Sequence, residues 1–176
     1  MFEFNTENLK KADQILKKYP NDQSRSAVMP FLWLTQEQDG QNILNKDKIE
    51  YVAKMLNLPE IKVYEVASFY TMYNLKDVGQ YHIQVCGTVP CHLVGSKEIL
   101  SACKNFLGVD RGEITSDGKF SYTEVECLGA CSEAPVLQLN NKEYFVNLDK
   151  SKLLKLIKSL GDGESAENIQ QALEKL

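Results

Sequence analysis

The chain has 176 residues, 43% apolar and 25% charged, enough for one folded domain or one and a half and unlike a disordered or fibrous polymer. Twenty Lys plus Arg against 24 Asp plus Glu give a net charge of −4, the wrong sign for a surface that tracks nucleic-acid phosphates. The longest stretch free of Asp, Glu, Lys and Arg, Val78–Ser96, carries Gln80, His82, Gln84, Gly87, Thr88, Pro90 and His92 and is no bilayer span. The first twenty residues mix Glu3, Glu7 and Asp13 with lysines and lack an apolar signal region, so either a reducing, aqueous compartment or earlier processing of the chain is expected.

The N-terminal third is helical in pattern. Leu9, Ala12, Ile15, Leu16 and Tyr19 recur at helical spacing over 6–19, and Pro20-Asn21-Asp22 stops the run. A second helix is predicted over 23–38, kinked or divided by Pro30, and Asp39-Gly40 marks a turn. Ile49, Val52, Ala53 and Leu56 define a third helix, stopped by Asn57-Leu58-Pro59. Pro59 is placed to start a fourth, with Val63, Val66, Ala67 and Tyr70 on one side. The aromatic run Phe69, Tyr70 and Tyr73 reads as helix packing near a domain junction rather than as a stacking platform. A helical domain over 1–77 is expected.

From Val78-Gly79 the period changes to alternation. Tyr81–Cys86 reads as a strand, Gly87–Pro90 as a loop with Cys91 at its far end, and Leu93, Ile99, Leu100, Cys103 and Leu107 as one face of a helix closed by Gly108. Phe120–Cys127 is a second predicted strand, and Val136–Leu139 with Tyr144–Leu148 a hairpin about Asn140–Glu143. Asp149 caps a helix over Lys150–Leu160 with Leu153, Leu154, Ile157 and Leu160 inward, stopped by Gly161. The order β-α-β-β-β-α gives an α/β sandwich over 78–161, its first two strands parallel through a crossover helix as in thioredoxin, with a short helical tail over 162–176. The fold class is α+β: a helical bundle, then a thioredoxin-like domain.

Five cysteines occur, at 86, 91, 103, 127 and 131. An odd number in a chain of this length without an export signal favours a metal or redox site over a disulfide framework. Cys86-x4-Cys91 and Cys127-x3-Cys131 each follow a predicted strand, so parallel neighbouring strands would bring all four sulfurs to one end of the sheet. Zinc in a four-cysteine structural site prefers tighter C-x2-C knuckles. A [2Fe–2S] cluster has two irons needing two thiolates each, a natural division for two separated pairs. Spacing favours the cluster and leaves zinc open; neither pair has the C-x-x-C spacing of thiol–disulfide exchange. Gly87, Gly129 and Ala130 would let backbone N–H groups approach the sulfurs, and a helix after Cys91 would aim its positive end there. Glu124, Glu126 and Glu133 would act in the opposite sense.

Residues 80–91, the Glu126–Cys131 run E-C-L-G-A-C, Ala134-Pro135 and Val63–Asn74 together resemble the thioredoxin-like [2Fe–2S] subunits of NADH–quinone oxidoreductase, respiratory complex I, over roughly residues 24–148. The resemblance implies a helical bundle before a thioredoxin-like ferredoxin domain, and one [2Fe–2S] cluster held by Cys86, Cys91, Cys127 and Cys131. It further implies electron exchange with the flavin of an NADH-oxidising partner subunit, in a hydrophilic arm with other subunits and no membrane span of its own. That arm would lie on the cytoplasmic side of a bacterial inner membrane, or on the matrix side in a mitochondrion. Val94 stands where the family commonly has a basic residue, and the tail lacks the Pro- and Arg-containing extension of some relatives. The alternatives are the equivalent subunit of an NAD-linked hydrogenase or formate dehydrogenase, and a zinc-stapled structural module.

Other candidates read as structural. Cys103 is a small buried hydrophobe on the crossover helix, and His82 and His92 are structural or surface residues rather than Rieske ligands. Lys150, Lys152, Lys155 and Lys158 form a solvated helix face. No phosphate-cradling glycine loop follows a strand, so binding of NADH or flavin by this chain alone is not expected, nor is binding of nucleic acid.

Overall fold

The computed structural model describes residues 2–20, 22–40 and 42–173. Asn21 of the predicted helix stop and residues 174–176 of the predicted tail lie outside them. The chain forms two compact units, Met1–Asp77 and Val78–Leu176, with separate apolar cores.

The first unit holds α1 (Thr6–Leu16), α2 (Val28–Glu37), α3 (Lys46–Leu56) and α4 (Glu60–Phe69). Asn5 and Asn45 cap α1 and α3 by accepting the N–H of Asn8 and Lys48. Pro30 does divide the second helical stretch: a 3-10 turn over Ser24–Ala27 leads into α2, whose first turn contains the proline, where a missing N–H costs no helical bond. Ala12, Phe31, Leu32, Val52 and Val63 are fully buried, and Lys48 is buried among them, its ammonium held by Asp39 and the Ile43 carbonyl. The segment after α4 is tied to α2: Gln36 accepts from Asn74 N–H and donates to the Met72 carbonyl, and Tyr73 O–H donates to the Met29 carbonyl. The aromatic run therefore splits. Tyr73 is packed, but Phe69 is 77% exposed and Tyr70 40%, so helix packing does not account for those two.

The second unit is built on a four-stranded sheet in the order β2-β1-β3-β4, from β1 (Tyr81–Cys86), β2 (Phe120–Val125), β3 (Leu137–Leu139) and β4 (Glu143–Phe145). β1 pairs parallel with β2, Tyr81 opposite Phe120 and Cys86 opposite Val125, and antiparallel with β3. Between β1 and β2 in sequence lie the short helix α5 (Val89–Leu93) and the crossover helix α6 (Ser96–Leu107). The β3–β4 hairpin turns through Asn140 and Asn141, both at positive φ, with Lys142 N–H on the Leu139 carbonyl. Helix α7 (Lys150–Gly161) is capped by Asp149, which accepts Lys152 N–H, and is followed by α8 (Ala166–Leu173). Ile83, Val85, Cys103, Leu137, Leu153 and Leu156 are fully buried in this core.

Two expectations about the helices of this unit need correction. Residues 87–93 are no simple loop: Cys91 lies inside α5, and Leu93, expected on the inward face of the crossover helix, is 78% exposed because that helix starts only at Ser96. Leu156 rather than Leu154 points inward from α7. The described part of the tail is helical as expected, and Ile169 and Leu173 of α8 are buried in this core. The Ala134–Pro135 peptide is cis. Among the described residues, no helix is long and apolar enough to cross a membrane.

Candidate metal centre

Two loops leave the carboxyl ends of the paired parallel strands β1 and β2. Cys86 is the last residue of β1, whereas Cys127 comes two residues after β2 ends, not at its final position. Cys86 donates its own N–H to the Val136 carbonyl, 3.0 Å away, which locks its backbone into the sheet region. Cys86 and Cys91 are each 1% exposed and pack with Val136, Leu128 and Ala130. Cys127 and Cys131 are exposed, with sulfurs 3.5 Å apart, across a loop in which Gly129 takes φ +80°.

Hydrogen-bond donors gather on these sulfurs. Gly129 N–H points at Cys127 Sγ at 3.4 Å, and the Thr88 hydroxyl lies 3.3 Å from Cys86 Sγ. Burial raises the Cys86 thiol, but the Thr88 hydroxyl, the N–H groups of Thr88 and Leu128 and the Cys91 thiol outweigh it, so its pKa falls below the ordinary value. Leu128 and Ala130, packed against Cys86 and Cys91, link the two cysteine loops directly. Burial, together with the hydrogen bond to Cys86, pushes Cys91 up to about 11, while the Val136 N–H acts against it and the charges of Cys86 and Cys131 add to it. Cys131 is also raised, first by its hydrogen bond with Cys127 and then by burial and the charges of Cys127 and Cys86. The thiols thus sense one another's charge across the two loops. Among the described residues no three His, Cys, Asp or Glu side chains are arranged to hold a single metal ion; the sulfurs stand as two pairs.

The donor set fits a di-iron cluster: two thiol pairs, N–H groups aimed at sulfur, and one pair exposed. Not every predicted donor takes part. Gly87 N–H is used in the sheet, bonding the Val125 carbonyl 2.9 Å away. Gly87 is needed for space instead, because an added Cβ would run into the Glu124 side chain, which pairs with Arg111. The helix entering after Cys91 is likewise not aimed as predicted, since Cys91 is itself helical. Thr88, Leu128 and Val136 escape the sequence reading as sulfur contacts. A threonine between two cysteines is a legible signal, whereas backbone N–H directions are not.

The remaining candidates take structural places. Cys103 is fully buried, its thiol pushed up to about 12 by burial. His82 is 6% exposed and burial lowers it to about 4. Ser121 Oγ accepts Gly79 N–H at 2.8 Å and lies 2.7 Å from His82 Nδ1, and burial keeps this imidazole neutral at pH 7. His92 is exposed. Of the four lysines, Lys150, Lys155 and Lys158 are exposed and Lys152 is half-buried, donating to the Asn147 carbonyl.

A model of the thioredoxin-like [2Fe-2S] ferredoxin family matches residues 12–161. The E subunit of NADH-quinone oxidoreductase from Rickettsia conorii (strain ATCC VR-613 / Malish 7) is 52% identical over 159 residues, covering 90% of this chain and 94% of that protein. Its counterpart from Rickettsia prowazekii (strain Madrid E) is 49% identical over 156 residues, covering 89% and 87%. A chain of the NAD+-reducing [NiFe]-hydrogenase in its air-oxidized state shares the fold with a TM-score of 0.69 at 18% identity, over 80% of this chain and 24% of that one. The fold and the matched family define a thioredoxin-like [2Fe–2S] ferredoxin, a class whose cofactor is one [2Fe–2S] cluster. Within that class, the chain belongs to the family of NADH–quinone oxidoreductase E subunits.

Proposed function

We propose that the chain is the electron-transfer subunit of an NADH–quinone oxidoreductase and that Cys86, Cys91, Cys127 and Cys131 hold its [2Fe–2S] cluster. The observation that carries the ligand set is the packing of Leu128 and Ala130, from the loop between Cys127 and Cys131, against the buried Cys86 and Cys91, with both cysteine loops following the paired ends of two parallel strands. When bound, the cluster supplies a one-electron couple. The chain's own work is to anchor Cys86 and Cys91 in the core, keep Cys127 and Cys131 near the surface, and direct N–H and O–H groups at sulfur so that added negative charge is stabilised. Loading releases the protons of the ligand thiols, at most one from each.

The partner is the flavin- and NADH-binding subunit of the same complex, within a peripheral arm on the cytoplasmic face of a bacterial membrane or the matrix face of a mitochondrial one. A donor and acceptor must approach closely, and the exposed Cys127–Cys131 loop offers the surface for it. A zinc module is disfavoured because the matched family is one of [2Fe–2S] ferredoxins. The hydrogenase host rests on fold likeness at 18% identity, against 52% for the Rickettsia conorii oxidoreductase chain.

Iron and acid-labile sulfide should each be present at about two per chain after anaerobic purification, and dithionite should bleach the protein and produce an EPR signal. A colourless, EPR-silent protein containing zinc overturns the cluster. Co-purification with a flavin-bearing subunit of a hydrogenase instead of a quinone reductase overturns the host.

A further inference from the structure

We infer that the Thr88 hydroxyl is a positioning and tuning residue for the cluster: it donates a hydrogen bond to Cys86 Sγ and holds the reduction potential up. The inference rests on the proposed ligand set and adds to it a residue that binds no iron.

Thr88 is the N-cap residue of α5, a place where threonine ordinarily turns its oxygen to an N–H of the first helical turn. Asn5, Asn45 and Asp149 all do this at their helices, each accepting from the third residue of the helix. Thr88 makes no such bond. One of its two usual donors is removed by Pro90 at the second helical position, which has no N–H. Its hydroxyl lies instead 3.3 Å from Cys86 Sγ. A metal-bound Cys86 is a thiolate without a proton, so the hydroxyl can only be the donor. The contact is set between a sulfur that is 1% exposed and a half-buried hydroxyl, where water competes poorly. A donor on a ligand sulfur stabilises the more negative, reduced state more than the oxidised one, and so raises the potential.

The test uses the full chain purified anaerobically with its cluster, comparing the wild type with Thr88→Val, which keeps the shape and removes the donor, and Thr88→Ser, which keeps the donor. Potentiometric titration followed by EPR should show the valine variant about tenfold harder to reduce, a downward shift of about 59 mV for a one-electron couple. The serine variant should stay near the wild type. Pulsed EPR in deuterated buffer should show one exchangeable deuteron coupling in the wild type and the serine variant that is absent from the valine variant. If valine prevents cluster insertion, Thr88→Ala against Thr88→Ser carries the same comparison. A hydroxyl-free variant with full iron and sulfide and an unshifted potential overturns the inference, as does a serine variant shifted as far as valine. Failure of the underlying ligand set would look different: wild-type protein without acid-labile sulfide.

Discussion

Cys86 and Cys91 are sealed into the second unit beside Val136, whereas Cys127 and Cys131 stand in solvent on a loop that turns at Gly129. The first pair is positioned by folding, through a strand end, a short helix and a backbone bond to Val136. The second pair is exposed at its sulfurs, and its loop is held to the core through Leu128 and Ala130, so bound metal would add order chiefly at the thiols themselves. One pair is a preformed half-site and the other a closing one.

The largest effect should come from the cysteines. Replacing any of the four with Ala should remove the cluster, read as iron and sulfide per chain. Melting of the metal-free proteins should then separate the pairs: Cys86→Ala or Cys91→Ala should cost roughly 1 kcal/mol or more of intrinsic stability, and Cys127→Ala or Cys131→Ala almost none. Equal losses from both pairs would break the contrast. Alkylation of the metal-free chain should follow the same order, with Cys127 and Cys131 modified first and Cys103 only on unfolding, as mass spectrometry of timed samples would record.

Acid should strike the strand that carries the buried pair. His82, on β1, stays neutral in the folded state to about pH 4, while an unfolded chain protonates it near its ordinary 6.5. The unfolded state therefore binds more protons between those values. Stability is complete above about pH 6.5, falls on acidification through the window and levels off below about 4, a change on the order of 3 kcal/mol. Denaturant titrations across pH should show this slope in the wild type and a flatter one in His82→Gln.

The smallest effect separates the two loops by their glycines. Gly129→Ala meets no neighbour but must adopt φ +80°, at a cost of about 1 kcal/mol. Gly87→Ala meets the Glu124 side chain and should displace it from Arg111, an exposed pair worth about 1 kcal/mol or less. Thermal melts of both variants should show small shifts, and only Gly87→Ala should become insensitive to added salt at this pair.

Much of the fold was legible because periodicity reports burial. Ala12, Val52, Val63 and Cys103 are buried where helical spacing put them, and Asp149 caps the helix it was expected to cap. The errors cluster where residues close in sequence serve tertiary contacts. Leu93 looks like a continuation of the crossover helix, yet Gly95 at φ +113° separates the two helices and leaves it outside. Phe69 is apolar and carries no local signal of its exposure. At the candidate site the cysteine spacing and the donor role of Gly129 could be read directly, whereas that of Gly87 could not. The sulfur contacts of Leu128 and Val136 could not, since they are made by backbone groups present at every residue.

By itself the amino-acid order determined the chemical inventory: four paired thiols, the strands and helices that flank them, and an acidic chain unsuited to nucleic acid. Such properties are local, set by side-chain type and by repeats of about two or 3.6 residues. Only the tertiary structure decided which pair is buried, that Gly87 yields its N–H to the sheet, and that Thr88 faces a sulfur rather than its own helix. Those choices depend on which of several satisfiable partners lies nearest once β1 and β2 are side by side, and hydrogen bonding is a matter of distance and angle that spacing along the chain does not encode.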